Sequence, residues 1–213
     1  MPPGPHPGFN KNVFINCPFD SKYDLILRPI LFTIIYLGLT PQIASQLTDS
    51  GEQRVNKVLS LIRKSKYSLH DLSRIRSEKK GELFRLNMPF ELGIDYGCRL
   101  TSTGYLKRKR FLVLGAKPYD YKKALSDLAG VDGKSYGNNP EKAVLAVRNW
   151  VVDVHLKRAP SARVVWKKFA EFQDSFATQR KKDGFSAQDL RMMPVREYIA
   201  YIHDWLKAHP LLR

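Results

Sequence analysis

The chain has 213 residues, enough for one well-buried core with an appended helical piece. A hydrophobic share of 43% is that of a globular protein and excludes wholesale disorder. The formal net charge of +16 is uneven, with 15 Lys or Arg against 5 Asp or Glu between residues 54 and 110, and such a field selects anionic partners: nucleic acid, an anionic membrane or a phosphorylated small molecule.

The first residues, Met-Pro-Pro-Gly-Pro-His-Pro-Gly, lack the basic leader and apolar core of a secretory signal. They read as a flexible, Pro-rich tail over residues 1–10. Val13-Phe14-Ile15-Asn16-Cys17 is a short apolar strand closed by Pro18 and Asp20. A helix is expected over residues 23–37, with Pro29 kinking it or marking its first turn. Its apolar run, residues 30–39, is too short to cross a bilayer.

Gly38 ends that helix, and Thr40-Pro41-Gln42-Ile43-Ala44 reads as a second strand. Ser50-Gly51-Glu52 opens a helix whose apolar positions Val55, Val58, Leu59 and Ile62 follow a helical period. Residues 67–72 form a third strand. A charged loop, residues 74–85, is long for a compact domain. The next helix carries Glu91 and runs toward Leu100, and Phe111-Leu112-Val113-Leu114 is the clearest strand of the chain.

Residues 127–139 are rich in turn formers. Asn139 then caps a helix with Pro140 at its first position, where a missing N–H costs nothing. Beyond Pro160 two more helices are expected, over residues 162–178 and 195–208, with apolar stripes for packing. Alternating strands and helices predict an α/β fold: a flavodoxin-like parallel sheet flanked by helices, with a C-terminal helical extension. The expected division is a tail at 1–10, the α/β domain at 11–158 and the extension at 159–213.

Sheets of this kind bind ligands beyond the carboxyl ends of their strands, where neighbouring connections depart in opposite directions. For this strand order the point lies between the first and third strands. Asn16, Pro18, Phe19 and Asp20 follow the first; Asp71, Ser73 and Arg74 follow or end the third; Ser45 follows the second. Asn87, Met88 and Glu91 begin the helix after the charged loop. Glu91 is placed by this reading in that helix's first turn, where the helix dipole favours an acid. Several of these residues carry two readings: Asp71 as ligand contact or loop cap, Phe19 as stacking ring or core, Arg74 as phosphate contact or solvated charge, Asn87 as ligand contact or helix N-cap.

Three ordered motifs carry a resemblance: Val13-Phe14-Ile15-Asn16-Cys17-Pro18-Phe19-Asp20, His70-Asp71-Leu72-Ser73-Arg74 and Asn87-Met88-Pro89-Phe90-Glu91-Leu92-Gly93. Together they resemble bacterial TIR-like proteins, which are related in fold to nucleoside 2-deoxyribosyltransferases. The likeness extends over roughly residues 11 to 155 and departs from ordinary TIR domains in the Asn-Cys-Pro-Phe start and the long charged loop. It implies cleavage of an N-glycosidic bond of a nucleotide, NAD foremost, with Glu91 meeting the anomeric carbon and Asp71 orienting the substrate. The implied setting is antiphage defence, with a homo-oligomer or a partner effector protein. NAD or a related nucleotide is then the substrate, and no further cofactor is expected.

Other chemistries lack their signatures. There is no G-x-x-x-x-G-K-[ST], no G-x-G-x-x-G after the first strand and no G-x-S-x-G. The five histidines lack zinc spacing, so no metal is expected. Cys17 and Cys98 form no C-x-x-C and fit a reducing cytoplasm. Nucleic acid ranks last among anionic partners, because the basic residues lack interleaved aromatics for stacking. A non-catalytic module that senses a nucleotide or self-associates is the alternative to an enzyme.

Overall fold

The computed structural model describes residues 4–46, 51–77, 86–128 and 130–210. Five parallel strands form one sheet: β1 Asn12–Asn16, β2 Thr40–Ile43, β3 Tyr67–Asp71, β4 Arg110–Gly115 and β5 Lys134–Ser135. Their order across the sheet is β2-β1-β3-β4-β5, with every pairing parallel. This is the expected α/β, flavodoxin-like arrangement. The chain leaves β1 for β2 on one side and later enters β3 on the other, so the sheet's switch point lies between β1 and β3.

Helices cover both faces. On one lie α1 Asp24–Tyr36 and α5 Pro140–Val154; on the other lie α2 Arg54–Lys64 and α3 Asn87–Thr101, with short α4 Asp120–Ala124 beyond them. The expected opening of α2 at Ser50, and residues 78–85 of the charged loop, lie outside the described residues. Strand alternation sorts the core. Val13, Ile15, Tyr67, Leu69, Leu112 and Leu114 face α1 and α5, whereas Phe14 meets Val58, Leu61 and Ile62 of α2.

Helix boundaries follow local chemistry. The Asn139 side chain accepts a hydrogen bond from the Lys142 N–H at 3.0 Å, with Pro140 in the first position as expected. Gly38 ends α1 in the left-handed region at φ 81°, which a side chain would strain. Pro29 does not interrupt α1. The carbonyl it leaves without an N–H partner is that of Leu25, at the exposed start of the helix.

The C-terminal part consists of α6 Ala162–Lys182, α7 Ala187–Met192 and α8 Val195–Ala208. It shares one core with the sheet. Phe32 of α1 stacks on Phe172 of α6 at 5.5 Å between ring centroids, and Trp205 of α8 meets the same two rings. Among the described residues, no helix is long and apolar enough to cross a membrane.

The flexible tail expected over residues 1–10 ends sooner. Phe9 is fully buried, its ring edge-on to Tyr105 at 4.9 Å, and its carbonyl accepts from the Lys66 N–H. A large apolar side chain with a pocket to fill overrides the Pro and Gly around it. Residues 1–3 lie outside the described residues.

Candidate functional site

Two acids flank the carboxyl end of β1 from opposite faces of the sheet. His70 and Asp71 are neighbours on β3, so alternation sends His70 toward α3 and Asp71 toward α1. Cys17, just past β1, is buried within electrostatic reach of both acids. Burial chiefly pushes its thiol well above the ordinary range, and the charges of Asp71, Glu91, Asp24 and Asp20 push it further. Both candidate acids thus act on one point beyond the β1 terminus.

Glu91 is 6% exposed, and its Oε1 lies 3.2 Å from Nη2 of Arg54, the first residue of α2. Burial raises its carboxyl above the usual range; the Arg54 charge and hydrogen bond, then the His70 ring, pull the other way. Arg54 itself is half exposed, and its guanidinium lies 5.8 Å from the centre of the Phe19 ring. Phe19, 40% exposed, is therefore a ring at the mouth of the site and not part of the core.

The helix under Glu91 is fixed from below. Asn16 Nδ2 donates to the Met88 carbonyl at 2.8 Å and lies 3.0 Å from His70 Nδ1. The carbonyl can only accept, which assigns the amide orientation and makes Nδ1 the acceptor of the second N–H. His70 Nε2 then donates to Asp95 Oδ2 at 3.1 Å. Asp95 Oδ1 pairs with Lys109 Nζ at 3.1 Å, and neither side chain is exposed. Burial alone would raise the Asp95 carboxyl, but the His70 hydrogen bond and the Lys109 charge outweigh it and hold it low. This buried chain positions α3.

Asp71 is fully buried. Its Oδ2 accepts from the Tyr23 hydroxyl at 2.7 Å and its Oδ1 from the Ser73 N–H at 2.8 Å. Burial raises its carboxyl, and these donors, the Ser73 hydroxyl and the Tyr136 hydroxyl only partly offset that. The Ser73 hydroxyl lies close enough to favour the charge, yet its Oγ makes no hydrogen bond of good geometry among the described residues. The neighbouring cleft is lined by Tyr23 and Tyr136, with Asp71 behind them.

The remaining candidates separate by role. Asp20 accepts from the Tyr23 N–H at 3.0 Å and pairs with Arg74 at 3.4 Å, with both side chains half-buried. Pro18 is buried, and Ser45 is exposed in the short 3-10 turn Ala44–Gln46 after β2. Met88 packs with Leu72 and Leu92, offering the site only its carbonyl.

Two helix-start expectations are corrected. Asn87 is exposed as the first residue of α3, and the N-cap position belongs to Leu86. Glu91 is the fifth residue of α3, beyond the first turn, so its tie to Arg54 replaces the expected dipole contact.

Arg54, Tyr23 and Tyr136 were not singled out from sequence. Only the position of Arg54 at a helix start past β2 could have signalled it. Among the described residues, no group of three or more His, Cys, Asp or Glu could hold a metal ion. A larger groove, about 820 Å³, runs along the outer edge of β4 beside Tyr119, Lys134, Leu145 and Trp150, away from both acids. No family model, curated protein or solved structure matches the chain.

Proposed function

We propose that the chain cleaves the N-glycosidic bond of a nucleotide, with NAD as the leading substrate, by hydrolysis or by transfer of the ribosyl group to another acceptor. One observation carries this reading: a buried carboxylate, Glu91, at the switch point of the sheet, held among the described residues by the Arg54 guanidinium at the mouth. The last of the three motifs that resemble TIR-like proteins contains the same residue.

The chemistry sets the requirements. As the glycosidic bond breaks, its electron pair leaves with the base nitrogen, and the sugar takes on oxocarbenium character. A carboxylate against the anomeric carbon either bonds to it or stabilises its charge. Water or a second acceptor then completes the exchange, and hydrolysis of NAD yields nicotinamide, ADP-ribose and a proton. Glu91 must be ionised to do this, and Arg54 favours the ionised form against the burial that opposes it. Phe19, exposed beside Arg54, offers a face for the leaving base.

The test is incubation of purified protein with NAD and other nucleotides, with and without phage-infected lysate, followed by product analysis. Wild type is expected to release the free base and Glu91→Gln to lose this activity. Equal activity in the two would remove Glu91 from the mechanism.

A second reading has its own observation. Asp71 is sealed behind Tyr23 and Tyr136, and Glu91 is closed by Arg54, as in a site that binds a nucleotide without turnover. A nucleotide that raises the melting temperature without being consumed would favour this sensing module.

A further inference from the structure

The first half of β4 has an open outer edge. The Arg110 N–H donates to the Lys66 carbonyl and the Leu114 carbonyl accepts from the Leu72 N–H, so both residues turn their backbone groups toward β3. The Gly115 carbonyl turns the other way and accepts from the Tyr136 N–H. Alternation therefore turns the backbone groups of Phe111 and Val113 outward too. β5 reaches back only to Lys134, opposite Leu114, and among the described residues no strand lies beside Arg110 to Val113 on that side. At the usual rise the open stretch is about 13 Å long, a template for a further strand.

Local chemistry keeps this edge open. The Tyr121 hydroxyl of α4 donates to the Val131 carbonyl and accepts from the Gly133 N–H at 2.9 Å. A Cβ on Gly133 would come within 2.8 Å of the Tyr121 side chain, so the close approach requires glycine. The chain before β5 is thus tied to α4, and pairing with β4 starts one residue later.

The groove of about 820 Å³ beside this edge has two kinds of surface. Leu112, Leu145, Ala146 and Trp150 give it an apolar floor on the α5 side. Tyr119 stands at the rim, 64% exposed, with its backbone in the left-handed region at φ 60°, which strains a bulky residue. The charged lining is Lys117, Lys134 and Lys142 against Asp132 and Asp153, and Arg110 begins the open edge. A second copy of this chain, with its net charge of +16, would bring the same excess of cations to an edge-to-edge pairing. An acidic strand complements that excess.

We propose that the outer edge of β4 takes up an extended, acidic segment of another protein as an added strand. Its backbone pairs with Phe111 and Val113, and its alternate, apolar side chains rest on the floor by Leu145 and Trp150. The surface lies away from Glu91 and Asp71, and the proposal does not depend on glycosidic cleavage.

The test titrates the full chain with a labelled synthetic peptide of about seven residues that alternates Glu with Val. A second peptide is N-methylated at every amide, and a third carries Lys in place of Glu. The first is expected to bind and to slow hydrogen exchange at the Phe111 and Val113 amides. The N-methylated peptide should bind at least about tenfold more weakly, because it cannot donate to the ladder. Leu145→Glu and Lys134→Glu alter exposed side chains, and each should weaken the first peptide by about tenfold. Equal binding of the N-methylated peptide, tighter binding of the Lys peptide, undiminished binding in either variant, or no binding of the first peptide would overturn the proposal. A concentration-dependent dimer that Leu145→Glu abolishes would also overturn it, by giving the edge to a second copy.

Discussion

Arg54 reaches from the first residue of α2 to Glu91 on α3, Nη2 to Oε1 at 3.2 Å, and so bridges two helices across the mouth of the switch point. The pair is asymmetric, since Arg54 is half exposed and Glu91 is nearly enclosed. Removing the cation should therefore change the acid more than the fold. In Arg54→Gln the Glu91 carboxyl is expected to rise further, because burial then acts without its main opponent. The acid limb of any pH–activity profile should move to higher pH, and an unmoved limb would separate Arg54 from Glu91 in function.

Glu91 should also cost stability near neutral pH. Its folded carboxyl is raised, so between the ordinary carboxylate value and the raised one the folded chain keeps a proton that the unfolded chain has lost. Stability falls as pH rises through that window. Glu91→Gln removes the titration. Urea unfolding at about pH 4 and about pH 7 should show a smaller loss in the variant than in wild type. The same loss in both would place the burial of Glu91 in doubt.

The Lys109–Asp95 pair is fully buried, and breaking one side strands a charge. Lys109→Met is expected to destabilise by about 3–5 kcal/mol, and combining it with Asp95→Leu should recover part of that loss. Asp95 is held below its ordinary range, so its contribution is present above that range and is lost as pH falls through the lowered folded value. Chemical denaturation of the single and double variants measures the first effect, and an acid titration of stability the second.

Tyr23→Phe removes a hydroxyl that donates to the enclosed Asp71 carboxylate at 2.7 Å. The expected cost is about 1.5–3 kcal/mol, typical of a hydrogen bond to a charged group. The Asp71 carboxyl should climb further, because one donor that favours its ionised form is gone. Thermal unfolding and a carboxyl-resolved NMR titration report the two outcomes independently.

Phe172 is completely buried among Phe32, Phe176, Tyr198 and Trp205. Phe172→Ala should cost about 3–5 kcal/mol. Truncation before residue 159 is expected to leave an α/β part that fails to fold as a soluble monomer, because Phe32 and its neighbours on α1 lose their cover. A cooperative unfolding transition in the truncated chain would refute this.

Much of the scaffold was legible where one residue type performs one local task. The apolar run at Val13 to Ile15 reads as a strand because both of its faces are covered, and Asn139-Pro140 reads as a helix start because cap and first position have distinct requirements. β5 was not legible. It is two exposed polar residues, Lys134 and Ser135, paired among the described residues with Leu114 and Gly115, and so carries no hydrophobic pattern. α7 was missed too: its capping box, Ser186 with Asp189, is local, but no apolar stripe accompanies six residues.

The site was harder to read. Sequence order brought Asp71 and Glu91 to one end of the sheet, but alternation, which sends Asp71 and His70 to opposite faces, separates the two acids by a layer. The partners that tune them, Arg54 and Tyr23, come from helices that no motif tied to the acids. Long-range pairs of this kind have no spacing signature within one sequence.

Helix α1 has a further consequence. Tyr23, at its leading end, supplies a hydroxyl to Asp71. Five residues on, Arg28 donates to the Leu190 carbonyl of α7 at 2.6 Å and lies over the Tyr198 ring of α8. The same rod is thus gripped by the terminal helices on one flank and touches the enclosed acid at its tip. A binding partner that shifts the terminal helices would load that rod, and the phenol at its tip is the first group of the acid's enclosure to feel the strain.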